Sequence, residues 1–101
     1  VNGVRINKDS SNNTIRNNNI RNNEKNGVYI YGNSSDNYLE SNYIFNNDRG
    51  INLKSPSNNI INNLISKNRY NFTLTESRTN SIYNNIVDSS IVANIKVPQK
   101  Q

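Results

Sequence analysis

Apolar residues recur along this chain at steps of two, nine, five and eight: Val4, Ile6, Ile15 and Ile20, with Val28 opening the next cycle. The first step is a G-φ-x-φ segment, Gly3-Val4-Arg5-Ile6, whose alternation predicts a short strand with one buried face. Gly27-Val28-Tyr29-Ile30, Gly50-Ile51-Asn52-Leu53, Asn71-Phe72-Thr73-Leu74 and Asn94-Ile95-Lys96-Val97 repeat it, at intervals of 24, 23, 21 and 23 residues. The other two apolar positions belong to an eleven-residue unit, N-x-φ-x-x-N-x-φ-x-x-[N/S], which spans 13–23, 37–47, 58–68 and 80–90. Serines stand three residues before each unit, at Ser10, Ser34, Ser55 and Ser77. Gly or Asn at the head of each strand segment predicts a turn with positive φ, because these two residues enter that region most cheaply.

Short apolar stretches separated by Asn, Ser and Gly turns, with a period near 22, describe one turn of a parallel β-helix. The pattern lacks the helical stretch of a leucine-rich repeat and the six-residue spacing of a left-handed hexapeptide helix. Stacked coils lie about 4.8 Å apart, so equivalent side chains sit one above another. An asparagine amide can then donate to one neighbour and accept from the other. Two such ladders are expected, Asn13, Asn37, Asn58 and Asn80 in one and Asn18, Asn42, Asn63 and Asn85 in the other.

Composition alone points elsewhere. Asparagine fills 26 of the 101 positions and the mean hydropathy is −0.91, values typical of disordered chains. The phase of the asparagines, not their number, argues for a fold. The chain contains no His, Cys or Met, so imidazole, thiolate and thioether ligands are missing and no metal site or cofactor is expected. It begins at Val1, and is read as a processed chain or an excised piece of a longer β-helix. Residues 1–97 form a single repeat domain in this reading, and residues 98–101, after Val97, a polar tail.

The formal charge is +5, with the twelve Lys and Arg residues spread round the repeat rather than clustered, which argues against nucleic acid. Membrane insertion is not expected either, because no long apolar run is present. The outward positions of the first strand stack Arg5, Tyr29, Asn52, Thr73 and Lys96 in one column and Asn7, Tyr31, Lys54 and Thr75 in the next. Aromatic rings suit sugar C–H groups, while Arg and Lys suit carboxylates. The candidate carbohydrate-binding residues are therefore Arg5, Tyr29, Tyr31, Asn52, Lys54 and Lys96. No catalytic constellation is present. Arg16 and Glu40 fall opposite each other as a surface ion pair, and Glu24 and Asp48 share one turn. Uncapped coils at the ends invite pairing with further coils or self-association.

The string S-x-x-N-x-I-x-x-N-x-I-x-x-N with G-[VI]-x-[IL], present as Ser34 to Asn47 and Gly50 to Leu53, resembles the right-handed parallel β-helix repeats of carbohydrate-binding and sugar-hydrolase proteins. That group includes NosD-type periplasmic proteins, mannuronan epimerases and pectin-lyase-like enzymes. The resemblance covers residues 2 to 97. It implies an all-β, right-handed parallel β-helix of about 4.5 coils of 21–24 residues, with three short strands per coil. It further implies an extracellular, cell-surface or periplasmic location, with the first-strand face as the substrate face. The Asp-Pro-His-Asp motif of the epimerases has no counterpart, because histidine is absent. The expectation is thus a non-catalytic module that binds or spaces carbohydrate, anionic polysaccharide above all. The alternatives are part of a lyase, hydrolase or epimerase with its catalytic residues on other coils, or a structural stalk or adhesin repeat.

Overall fold

The computed structural model describes residues 2–75 and 79–87, and the backbone of residues 92–93. The strands are β1 (Val4–Ile6), β2 (Thr14–Arg16), β3 (Asn19–Arg21), β4 (Asn26–Ile30), β5 (Tyr38–Glu40), β6 (Tyr43–Phe45), β7 (Arg49–Leu53), β8 (Asn59–Ile61), β9 (Leu64–Ser66), β10 (Tyr70–Leu74), β11 (Ser81–Tyr83), β12 (Ile86–Val87) and β13 (Val92–Ala93). Every third strand pairs in parallel with the one before it. The result is a first sheet in the order β1-β4-β7-β10-β13, a second of β2-β5-β8-β11 and a third of β3-β6-β9-β12. This is a parallel β-helix of about four turns with three strands per coil, the expected fold class.

The register places the four predicted inward positions in four columns. They are Val4, Val28, Ile51 and Phe72; Ile6, Ile30, Leu53 and Leu74; Ile15, Leu39, Ile60 and Ile82; and Ile20, Ile44, Ile65 and Val87. Members from the middle coils are sealed, while Val4, Ile15, Ile82 and Val87 near the ends are only partly buried. Each coil's core is thus closed by the coils above and below, as in any one-dimensional stack.

Both predicted ladders form. Nδ2 of Asn13 donates to Oδ1 of Asn37 at 2.9 Å, and Asn37 to Asn58 at 3.0 Å, while the Asn58 N–H reaches Asn80 Oδ1 at 2.7 Å. In the second, Asn18, Asn42, Asn63 and Asn85 connect at 3.3, 3.1 and 3.0 Å. A third ladder, Asn23 to Asn47 to Asn68 at 2.8 and 3.0 Å, occupies the unit's last position. The amides also reach backwards: Asn42 Nδ2 donates to the Ile15 carbonyl and Asn63 Nδ2 to that of Leu39. Serine hydroxyls make a fourth line, accepting from the Ser10 and Ser34 N–H groups at Ser34 and Ser55. Ser77 lies outside the described residues.

Two expectations are corrected. Gly3, Gly27 and Gly50 do not have positive φ. They are needed because a Cβ there would sit 2.7–2.8 Å from the carbonyl oxygen of the next coil and 2.8–2.9 Å from a corner asparagine amide. Positive φ falls instead on the residue before each ladder asparagine: Asn12, Asn17, Asn22, Asp36, Ser41, Asn46, Ser57, Asn62, Lys67, Thr79 and Asn84. The second correction concerns the fifth strand segment. Phe72 pairs with Val92 and Thr73 with Ala93, twenty residues on, instead of with Ile95 and Lys96. Either apolar residue satisfies one inward position, so alternation alone left this strand's register open by three residues. Residues 94–101 lie outside the described residues.

Candidate functional site

The outer face of the first sheet is set by a local departure from strict alternation. A Cβ on Gly27 would meet Ile44 Cγ2 in the core, so Gly27 and Val28 both face inward and Asn26 shares the outer side with Tyr29. Three outward columns follow from the register: Asn2, Asn26, Arg49 and Tyr70; Arg5, Tyr29, Asn52 and Thr73; and Asn7, Tyr31, Lys54 and Thr75. Among these twelve residues are three cations, Arg5, Arg49 and Lys54, and no carboxylate.

Tyr29 and Tyr31 stack face to face, centroids 4.2 Å apart at 18°. Lys54 Nζ lies 5.6 Å from the Tyr29 centroid, and Asn7 Nδ2 donates to the Tyr31 hydroxyl at 3.0 Å. The rings therefore cover one face each, and offer a ligand less stacking surface than two independent tyrosines. Arg5 and Lys54 are exposed and Tyr29 and Tyr31 half-buried, so these four predicted residues come together as one accessible patch. Asn52 shares their column but is only 2% exposed, its Nδ2 donating to Asn26 Oδ1 at 3.2 Å. It supports the surface rather than lining it. Lys96 lies outside the described residues, and Ala93 holds the place its column assigned.

Sequence reasoning missed Arg49 and Tyr70 on this face, because it started the strand segments at Gly50 and Asn71 and left both residues in the turns before them. The inward turn at Gly27 and Gly50 was the unread signal. It also missed a second aromatic pair, Tyr43 and Phe45 on β6, stacked at 4.1 Å and 25°, with the Arg21 guanidinium 5.8 Å from the Phe45 centroid. Spacing i, i+2 at outward positions could have revealed it. Leu64 and Ile86, 39% and 69% exposed, continue the Tyr43 column across the third sheet.

Among the described residues the acids are paired or scattered. Asp48 meets Arg69 at 3.7 Å, and Glu40 meets Arg16 at 3.8 Å as expected. Both arginines are largely exposed, so each pair is worth under about 1 kcal/mol. No group of three or more acidic side chains able to hold a metal occurs among the described residues.

The fold and its ladders define a parallel β-helix repeat module. The family NosD, described as a periplasmic copper-binding protein, matches residues 2–101. The chain belongs to this family. No curated protein and no solved structure matches it. The family description implies copper, for which proteins use imidazole, thiolate and thioether donors. This chain carries none of them, and among the described residues the outer first-sheet face is cationic and the acids do not converge. The residues present do not fit a copper centre. No helix among the described residues is long and apolar enough to cross a membrane.

Proposed function

We propose that this chain is a non-catalytic periplasmic β-helix module that binds anionic polysaccharide on the outer face of its first sheet. One observation carries the reading: Arg5, Arg49 and Lys54 share that face with no carboxylate among its described residues. Uncompensated cations on a rigid sheet favour a polyanion, and guanidinium groups in particular suit carboxylates. The coil spacing is about 4.8 Å, so a chain running along the helix axis meets Arg5 in the first coil, the tyrosine pair in the second, and Arg49 and Lys54 in the third. The stacked Tyr29 and Tyr31 supply an apolar edge beside them.

The test is retention of the purified chain by a polyuronate and by a neutral glucan, in affinity electrophoresis at low salt and again at 0.5 M salt. Polyuronate retention is expected, weakened severalfold by salt because the cations are exposed. It should be lost in an Arg5→Ala/Lys54→Ala variant and kept in Tyr43→Ala/Phe45→Ala, with circular dichroism confirming that both are folded. Equal retention on the neutral polymer, or an unaffected Arg5→Ala/Lys54→Ala variant, would sink the proposal.

A further inference from the structure

Buried polar side chains in this fold are mostly paired, because each ladder amide finds an acceptor in a neighbouring coil. Among the described residues four buried side-chain atoms have no hydrogen-bond partner, and three of them share the outer face of the first sheet: Arg49 Nε, Asn52 Oδ1 and Thr73 Oγ1. Asn52 and Thr73 are 2% and 3% exposed and stand opposite each other in the register of β7 and β10. Arg49 precedes Asn52 by three positions on β7. Gly50 and Ile51 between them face inward, so Arg49 and Asn52 are neighbours on the outer side.

The cause is a run of side-chain hydrogen bonds that stops short. Asn26 Nδ2 donates to Asn2 Oδ1 at 2.8 Å, and Asn52 Nδ2 donates to Asn26 Oδ1 at 3.2 Å. Each amide thus donates to the preceding coil and accepts from the following one, which leaves Asn52 Oδ1 to accept from the fourth coil. The residue beside it there is Thr73, whose side chain is shorter than that of asparagine and makes no hydrogen bond to it. One acceptor, one hydroxyl and one guanidinium N–H therefore stand at adjacent positions. A carboxylate or phosphate has no proton to give Asn52 Oδ1, and an ammonium has no lone pair for the Arg49 Nε–H. A hydroxyl suits all three, donating to Asn52 Oδ1 and accepting from Thr73 and Arg49.

We propose that Arg49, Asn52 and Thr73 form a hydroxyl subsite, at which this face reads a sugar ring and not charge alone. The inference rests on the polyanion reading of the same face, and narrows its ligand class to hydroxylated polyuronates. The hydroxyl enters from the outer side, where Lys54 is exposed and Arg49 half-buried, both long side chains that change rotamer readily. Lys54 and the outer nitrogens of Arg49 then meet sugar carboxylates beside it. Polar groups buried without partners are costly, so a hydroxyl that pairs them gains more than one that meets solvated side chains.

Titration calorimetry of the full chain at low salt, with polygalacturonate and with polyacrylate of equal charge, tests this. Polyacrylate carries carboxylates and no hydroxyl. Wild type should bind polygalacturonate about tenfold more tightly, or better. Thr73→Val keeps the shape of the side chain and removes its hydroxyl, while Arg49→Lys keeps the charge and removes the Nε–H. Each should cut the preference by about threefold or more, with the β spectrum of wild type retained. Folded variants that keep the wild-type preference, or that weaken both polymers alike, overturn the subsite. Wild type that binds both polymers equally also overturns it, since charge alone is then read, and leaves the polyanion reading standing. Binding of neither polymer ends both.

Discussion

At the corner between the second and third sheets Asn62 and Asn63 do different work, although they are the same residue. Asn62 has φ 59°, a conformation Asn enters with little penalty, and its side chain is exposed. Asn63 is 1% exposed, accepts from the Asn42 N–H and Nδ2, and donates to Asn85 Oδ1 and the Leu39 carbonyl. Asn63→Ala leaves several buried groups without partners and should cost about 3 kcal/mol by urea denaturation. Asn18→Ala, at the exposed start of the same ladder, should cost under about 1 kcal/mol. Similar losses at both sites would mean the ladders stabilise through local turn propensity, not through stacking. The buried partner was legible from its column at the two corners whose ladders were expected, and not at the third, where Asn23, Asn47 and Asn68 stack. Its neighbour's positive φ was not legible, because Ser41, Ser57, Lys67 and Thr79 hide that column behind residues that seldom adopt such a conformation.

The element that depends most on one residue is β4. Gly27 leaves no room for a side chain, since a Cβ would meet the Gly50 carbonyl at 2.7 Å and the Asn47 amide at 2.9 Å. Gly27→Ala should therefore destabilise by about 2 kcal/mol or more, through a backbone shift that loosens β4 from both β1 and β7. Hydrogen exchange should show the loss in β4 and β7 first. A variant as stable as wild type would mean that the coil spacing yields. The strand itself was readable in the sequence, as G-φ-x-φ with one buried face. The reason for its glycine was not, because the contact is with residues 17 to 23 positions away. The same blind spot hid Arg49, whose place on the outer face follows from that inward turn.

For the molecule as a whole, membership of a copper-binding family and the side chains of this chain point in different directions. One equivalent of Cu(II) is expected to leave the melting temperature of the chain unchanged, since a ligand bound to the native state would raise it. A rise of several degrees would show that oxygen and amide donors here hold copper after all. By itself the sequence determined the coil, its four inward columns, two of its ladders and the cationic tyrosine face. All of these follow from a period, and stacking copies a period from one coil to the next. The tertiary structure alone decided why the glycines are there, how Tyr29 and Tyr31 turn to each other, that Asn52 is covered, and where the last described strand pairs. These depend on contacts between neighbouring coils and columns, whose distances and directions no spacing along the chain encodes.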